Sequence, residues 1–150
     1  MTALVEILQS YATTYGWYFS YGNASNRNLL SSDTTVGKIY LLLDPVRRSI
    51  ANSEFGGLGE ATYSGSFMLL IKSDRDQQYH NQKDQLASTG KYEKNIKPML
   101  DLLNTFNEDI ACDDLQVNTW DIIDLVDVLD VNMDGLLVTY SIVMQNGYTV

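Results

Sequence analysis

A chain of 150 residues with 45% hydrophobic and 19% charged content can build one core and is too apolar for a disordered or collagen-like polymer. Such a fold buries roughly two-thirds of its unfolded surface without a staple, and a single cysteine, Cys112, excludes an internal disulfide or a cysteine-based zinc site. The net charge of −9 is uneven, since residues 1–100 hold 9 acidic and 10 basic side chains while residues 101–150 hold 10 acidic ones and no Lys or Arg; that opposes binding to nucleic acid or an anionic membrane through the last third.

The first element is an amphipathic helix over residues 3–15, where Leu4, Ile7, Leu8, Tyr11, Ala12 and Tyr15 recur at helical spacing. Thr2 is a suitable N-cap, and Gly16 stands where a C-terminal glycine belongs. Glu6 and the lack of a basic run before an apolar core argue against a secretory signal. Trp17 to Tyr21 is aromatic and suits a strand, with helix left open by its short length. Gly22 to Asn28 and Ser31 to Thr35 read as loops.

Ile39 to Leu43 predicts a buried strand that Pro45 ends. It is far too short to span a membrane. A soluble protein of a reducing compartment is therefore expected. Arg47 to Tyr63, with Gly56, Gly57 and Gly59 close together, predicts a long excursion between two strands. Ser66 to Lys72 is its returning strand.

Residues 76–108 are polar with an apolar stripe continuing to Ile110 (Tyr92, Ile96, Met99, Leu100, Leu103, Phe106), which predicts helix. Pro98 cannot donate its amide, so a kink or a fresh start belongs there, with Pro98 in the first turn. From Trp120 to Met144 the β-branched content predicts two long antiparallel strands turning around Asn132 to Gly135.

Chemistry-bearing motifs are sparse. Asp130-Val131-Asn132-Met133-Asp134-Gly135 matches the first half of a calcium loop, but Ser141 stands at the twelfth position, where a bidentate carboxylate is needed. Asp-Gly between apolar runs reads instead as a hairpin turn. His80, the only histidine, lies in a polar stretch with no nucleophile elbow elsewhere. Cys112 precedes Asp113 and Asp114, whose charges oppose a thiolate. Gly56-Gly57-Leu58-Gly59 lacks the Lys-Ser/Thr of a phosphate loop. No catalytic residue, metal or cofactor is expected. The acidic third keeps two readings: a solvated face that disperses the protein, or a working charged surface.

Taken in order, the elements give an α+β fold in one domain over residues 1–150. It has a mainly antiparallel sheet with a packed helix layer, an N-terminal helix, a long Gly-rich loop between two strands and a C-terminal β-hairpin. The segments Ile39 to Val46, Phe67 to Lys72, Lys91 to Phe106 with Ile96-Lys97-Pro98, and the Asp130 to Gly135 turn entering Leu136 to Met144 carry a resemblance. The arrangement resembles the tail-terminator and tail-completion proteins of bacteriophages and the head-tail joining ring proteins of crAss-like phages.

That resemblance implies a non-enzymatic virion protein, assembled in the host cytoplasm into a homo-oligomeric ring beside portal, connector or tail proteins, with no membrane partner. Genome DNA would pass nearby without specific binding. Asp121, Asp124, Asp127 and Asp130 would form an acidic channel face that repels phosphate. Arg47, Arg48 and Phe55 would belong to the subunit interface, the loop acting as an arm to a neighbour. The rival expectation is a monomeric acidic inhibitor or adaptor that mimics nucleic acid.

Overall fold

The computed structural model describes residues 4–22, 37–52, 58–72, 92–111, 115–128 and 133–144. The elements are α1 (Leu4–Tyr15), β1 (Tyr18–Tyr21), β2 (Ile39–Leu43), β3 (Arg47–Asn52), β4 (Leu58–Lys72), a π-helical turn (Tyr92–Ile96), α2 (Lys97–Ala111), β5 (Leu115–Val128) and β6 (Met133–Met144). The fold is α+β, a mixed six-stranded sheet with two helices. Thr2, the N-terminal loops beyond Gly22, Phe55 to Gly57, the polar stretch around His80, Cys112 and Asp130 to Asn132 lie outside the described residues.

Helix α1 buries Leu4, Leu8 and Ala12, one residue per turn. Its end satisfies two carbonyls at once. Trp17 donates its amide to Ala12 at 2.8 Å and Gly16 donates to Thr13 at 3.1 Å, a Schellman cap that requires the positive φ of 75° at Gly16. Helix α2 starts one residue before Pro98, directly after the π-helical turn, so the proline falls in its first turn. It buries Met99, Leu103, Phe106 and Ile110 along one stripe.

The sheet runs β1-β2-β4-β6-β5, with β3 also on β4. Strand β4 is the centre: its C-terminal half pairs with β2, its N-terminal half with β3, and its other side with β6 from Ala61↔Met144 to Lys72↔Met133. Leu43 pairs with Phe67 and Arg47 with Ser64. Strands β2 and β3 are thus one long strand along β4, with one extra residue inserted at Asp44-Pro45-Val46, the count of a β-bulge. Asp44 closes it, donating its amide to Ser66 at 3.0 Å while Ser66 Oγ donates to Asp44 Oδ2. The β1–β2 pair is parallel, the other described pairs antiparallel.

Both helices share one core with one sheet face. Leu41, Leu43, Tyr63, Phe67, Leu69, Leu136, Val138, Tyr140 and Ile142 meet Leu4, Leu8, Met99, Leu103, Phe106 and Ile110 there. Phe67 sits edge-on to Phe106 at 6.2 Å and to Trp120 at 5.5 Å, and Tyr11 packs edge-on to Phe106 at 5.7 Å. The Tyr11 hydroxyl donates to the Asp109 carbonyl at 2.9 Å, tying α1 to α2. Trp120 Nε1 donates to Asn107, tying β5 to α2. A smaller cluster of Tyr40, Leu42, Leu70 and Met133 is buried on the opposite face.

Two expectations need correction. Arg47 to Tyr63 is not a loop excursion: residues 47–52 and 58–63 are strand, paired to each other as Arg48↔Tyr63 and Ile50↔Ala61. Main-chain pairing to β4 overrides the weak local strand preference of its serines and glycines. Nor do Asp134 and Gly135 form a turn; both are buried inside β6, opposite Ile71 and Leu70. Glycine is needed there for close approach, because a Cβ would collide with the Leu69 carbonyl and come within 2.9 Å of Leu70 Cα. Strands β5 and β6 do pair antiparallel, and β5 already begins at Leu115 rather than Trp120.

Candidate functional site

Among the described residues β5 pairs with β6 alone, so its outer side is an open sheet edge 14 residues long. It is also apolar. Ile122 is 42% exposed, Ile123 59% and Val126 51%. Consecutive residues of a strand point to opposite faces, so the Ile122-Ile123 pair cannot bury both side chains in a one-sided core. That dipeptide is the sequence signal for this edge.

The aspartates themselves divide. Asp121 pairs with exposed Thr139 and Asp124 with buried Leu136 in one unbroken register, which puts the two carboxylates on opposite faces of the sheet. An acidic face built on both is therefore not formed. The three-residue spacing that suggested it is the spacing at which a strand reverses sides. Asp127 lies within β5, and Asp130 lies outside the described residues.

The opposite margin of the sheet has two parts. Strand β1 exposes Tyr18 (36%) and Tyr21 (45%), and Lys38 Nζ stands 5.8 Å from the Tyr18 ring centroid. Strand β3 exposes Arg47 and Arg48. Arg47 pairs with Ser64 and Arg48 with Tyr63, so these cations also occupy opposite faces. Phe55, the third expected interface residue, lies outside the described residues.

Inside this margin, on the helix-covered face, Tyr140 lies across Gly65. A Cβ at Gly65 would stand 3.1 Å from the Tyr140 hydroxyl and 3.5 Å from the Pro45 carbonyl oxygen. The glycine thus makes room for the ring. Burial, then the neighbouring Tyr21 phenol, raise the Tyr140 pKa well above the ordinary tyrosine value, partly offset by the Arg48 cation. Among the described residues the buried hydroxyls of Tyr15, Tyr63 and Tyr140 have no hydrogen-bond partner.

One buried carboxylate remains. Asn95 Nδ2 in the π-helical turn donates to Asp134 Oδ2 at 2.7 Å, with both side chains buried. The residue that would have been a calcium ligand instead fastens the start of α2 to β6. Among the described residues no group of three His, Cys, Asp or Glu side chains is placed to hold a metal ion. His80 and Cys112 lie outside them. No described helix is long and apolar enough to cross a membrane.

No family model matches this chain, and neither the curated proteins nor the solved structures contain a match to it.

Proposed function

We propose that this chain is a non-enzymatic structural protein, one subunit of a closed homo-oligomeric ring in a bacteriophage head-tail connector or tail. The observation that supports it is the β5 edge. A long open strand with Ile122, Ile123 and Val126 exposed invites pairing with another chain, and monomers generally blunt or cover such edges. Two different margins on one sheet favour a head-to-tail contact, and a head-to-tail contact whose rotation closes gives a ring. The ring would assemble in the host cytoplasm, enter the virion beside portal, connector or tail proteins, and surround a channel for DNA. An acidic chain of net charge −9 suits a wall that DNA slides past rather than binds.

The test is native mass spectrometry of the purified chain at micromolar concentration, with duplex DNA added in a second sample. A single mass of several copies that retains no DNA is the expected result. A monomer that binds basic proteins in a salt-sensitive way would replace the ring by the acidic mimic.

A further inference from the structure

We propose that β5 of one copy adds, antiparallel, to β1 of the next copy, so that the sheets of the ring join into one continuous wall. This inference rests on the ring reading and specifies its contact.

Strand direction is the first argument. Strand β5 runs with β4, whereas β1, β2 and β3 all run against it. A rotation about an axis along the strands preserves those directions, so β5 of one copy meets β1 of its neighbour in the antiparallel sense. That is the sense in which adjacent strands form perpendicular hydrogen-bond pairs.

Height along the strands is the second. Following the register across the sheet, Tyr21 stands in the row of Leu43, Phe67, Val138 and Ile122, and Tyr18 in the row of Tyr40, Leu70, Gly135 and Leu125. The whole of β1 is therefore level with Ile122 to Leu125, the stretch that carries the exposed Ile122 and Ile123 beside Asp124. A closed ring has no rise from copy to copy, so only parts at the same height can meet. Tyr21 and Ile122 also share the helix-covered face, and both are exposed.

Charge is the third. Arg47 stands in the row of Ser64, Ser141 and Thr119, on the same face as Asp121 and two residues away along β5. Because β1 stands outside β2 and β3, Arg47 lies two strand spacings, about 9.6 Å, across the sheet from the added strand. Along that strand the offset is about 6.7 Å, a gap that an extended arginine and an aspartate must close together. The cation of one copy would meet the carboxylate of the next at the rim of the apolar contact.

Disulfide trapping combined with charge exchange tests the contact in the full chain. Directly paired positions on neighbouring antiparallel strands are close enough to bridge. Within one chain, by contrast, Tyr21 and Ile122 are separated by four strand spacings, about 19 Å. In a Cys112→Ser background, Tyr21→Cys with Ile122→Cys should give a ladder of covalent multimers on a non-reducing gel. Either cysteine alone should give no ladder. Ile123→Lys should convert the oligomer to monomer by native mass spectrometry, Arg47→Asp should weaken it at least tenfold, and adding Asp121→Arg should restore it. An oligomer that survives Ile123→Lys and shows no ladder overturns the edge pairing while leaving the ring reading intact. An unsubstituted chain that is monomeric overturns the ring reading itself.

Discussion

Strands β5 and β6 lie side by side, pair along most of their lengths and are both rich in β-branched residues, yet they live in different solvents. Along β6 nine of twelve residues are buried. Along β5, Asp121, Ile122, Ile123 and Asp124 are all exposed. The difference is one of position before it is one of composition. Strand β6 has β4 on one side and β5 on the other, with α2 and the π-helical turn beneath it, whereas among the described residues β5 has one neighbour and little cover past Trp120. Interleaved aspartates keep β5 from becoming a sixth buried row, a common way of managing an edge. Isoleucines kept beside them are what a managed edge would discard, and they are the feature on which the proposed pairing with a second copy rests.

The largest expected effect that sharpens this contrast is on β6. Leu136→Ala removes a fully buried side chain between β4 and β5. It should cost about 2–5 kcal/mol in urea unfolding. A cost below about 1 kcal/mol would mean that β6 is not the packed row described.

Tyr140→Phe comes next and has the opposite sign. It removes a buried hydroxyl with no partner among the described residues, so the variant should gain about 1 kcal/mol at neutral pH. Because the folded-state pKa of Tyr140 is raised, the stability tied to its protonated form is complete below the unfolded value of about 10 and is lost as pH climbs beyond it. The advantage of the phenylalanine should therefore be constant up to about pH 10 and widen above it. Thermal melts of both proteins from pH 7 to 11 would show this, and parallel curves throughout would contradict it.

The smallest expected effect on stability belongs to β5. Ile123→Thr keeps a β-branched residue on an exposed position, so under dissociating conditions it should shift unfolding by no more than about 0.5 kcal/mol. Its effect should appear in association instead. A loss above about 2 kcal/mol in the dissociated chain would show that the edge is part of the core.

Local signals that act within one element were legible in the sequence. Leu4, Leu8, Ala12 and Gly16 announced a helix and its stop, the apolar run of β2 announced a buried strand, and Pro98 marked the first turn of α2. Features decided by a neighbour were not legible. Arg-Arg-Ser-Ile-Ala-Asn has little strand character by itself and is a strand because β4 pairs with it. Asp134-Gly135 carries the chemistry of a turn, yet Asn95 satisfies the aspartate and the Leu69 carbonyl demands the glycine. The four aspartates looked like one face only while their backbone was unspecified. Once β5 is a strand, Asp121 and Asp124 must part, and the exposed isoleucines between them become the informative residues.

The central place of β4 also has a consequence for how the chain comes into being. Its partners β2 and β3 precede it closely, but every pair it makes with β6 spans at least the distance from Lys72 to Met133. At roughly 5–20 residues per second on the ribosome, the intervening residues 73–132 take about 3–12 s to make. Through that interval a half-built sheet waits with one side of its middle strand unpaired, at the very row of Phe67, Leu69 and Leu70 that later becomes core. Pairings so distant in sequence also form slowly once both strands exist. The vulnerable edge of the newborn chain is thus in its interior, and chains interrupted before Met133 would be the ones that aggregate.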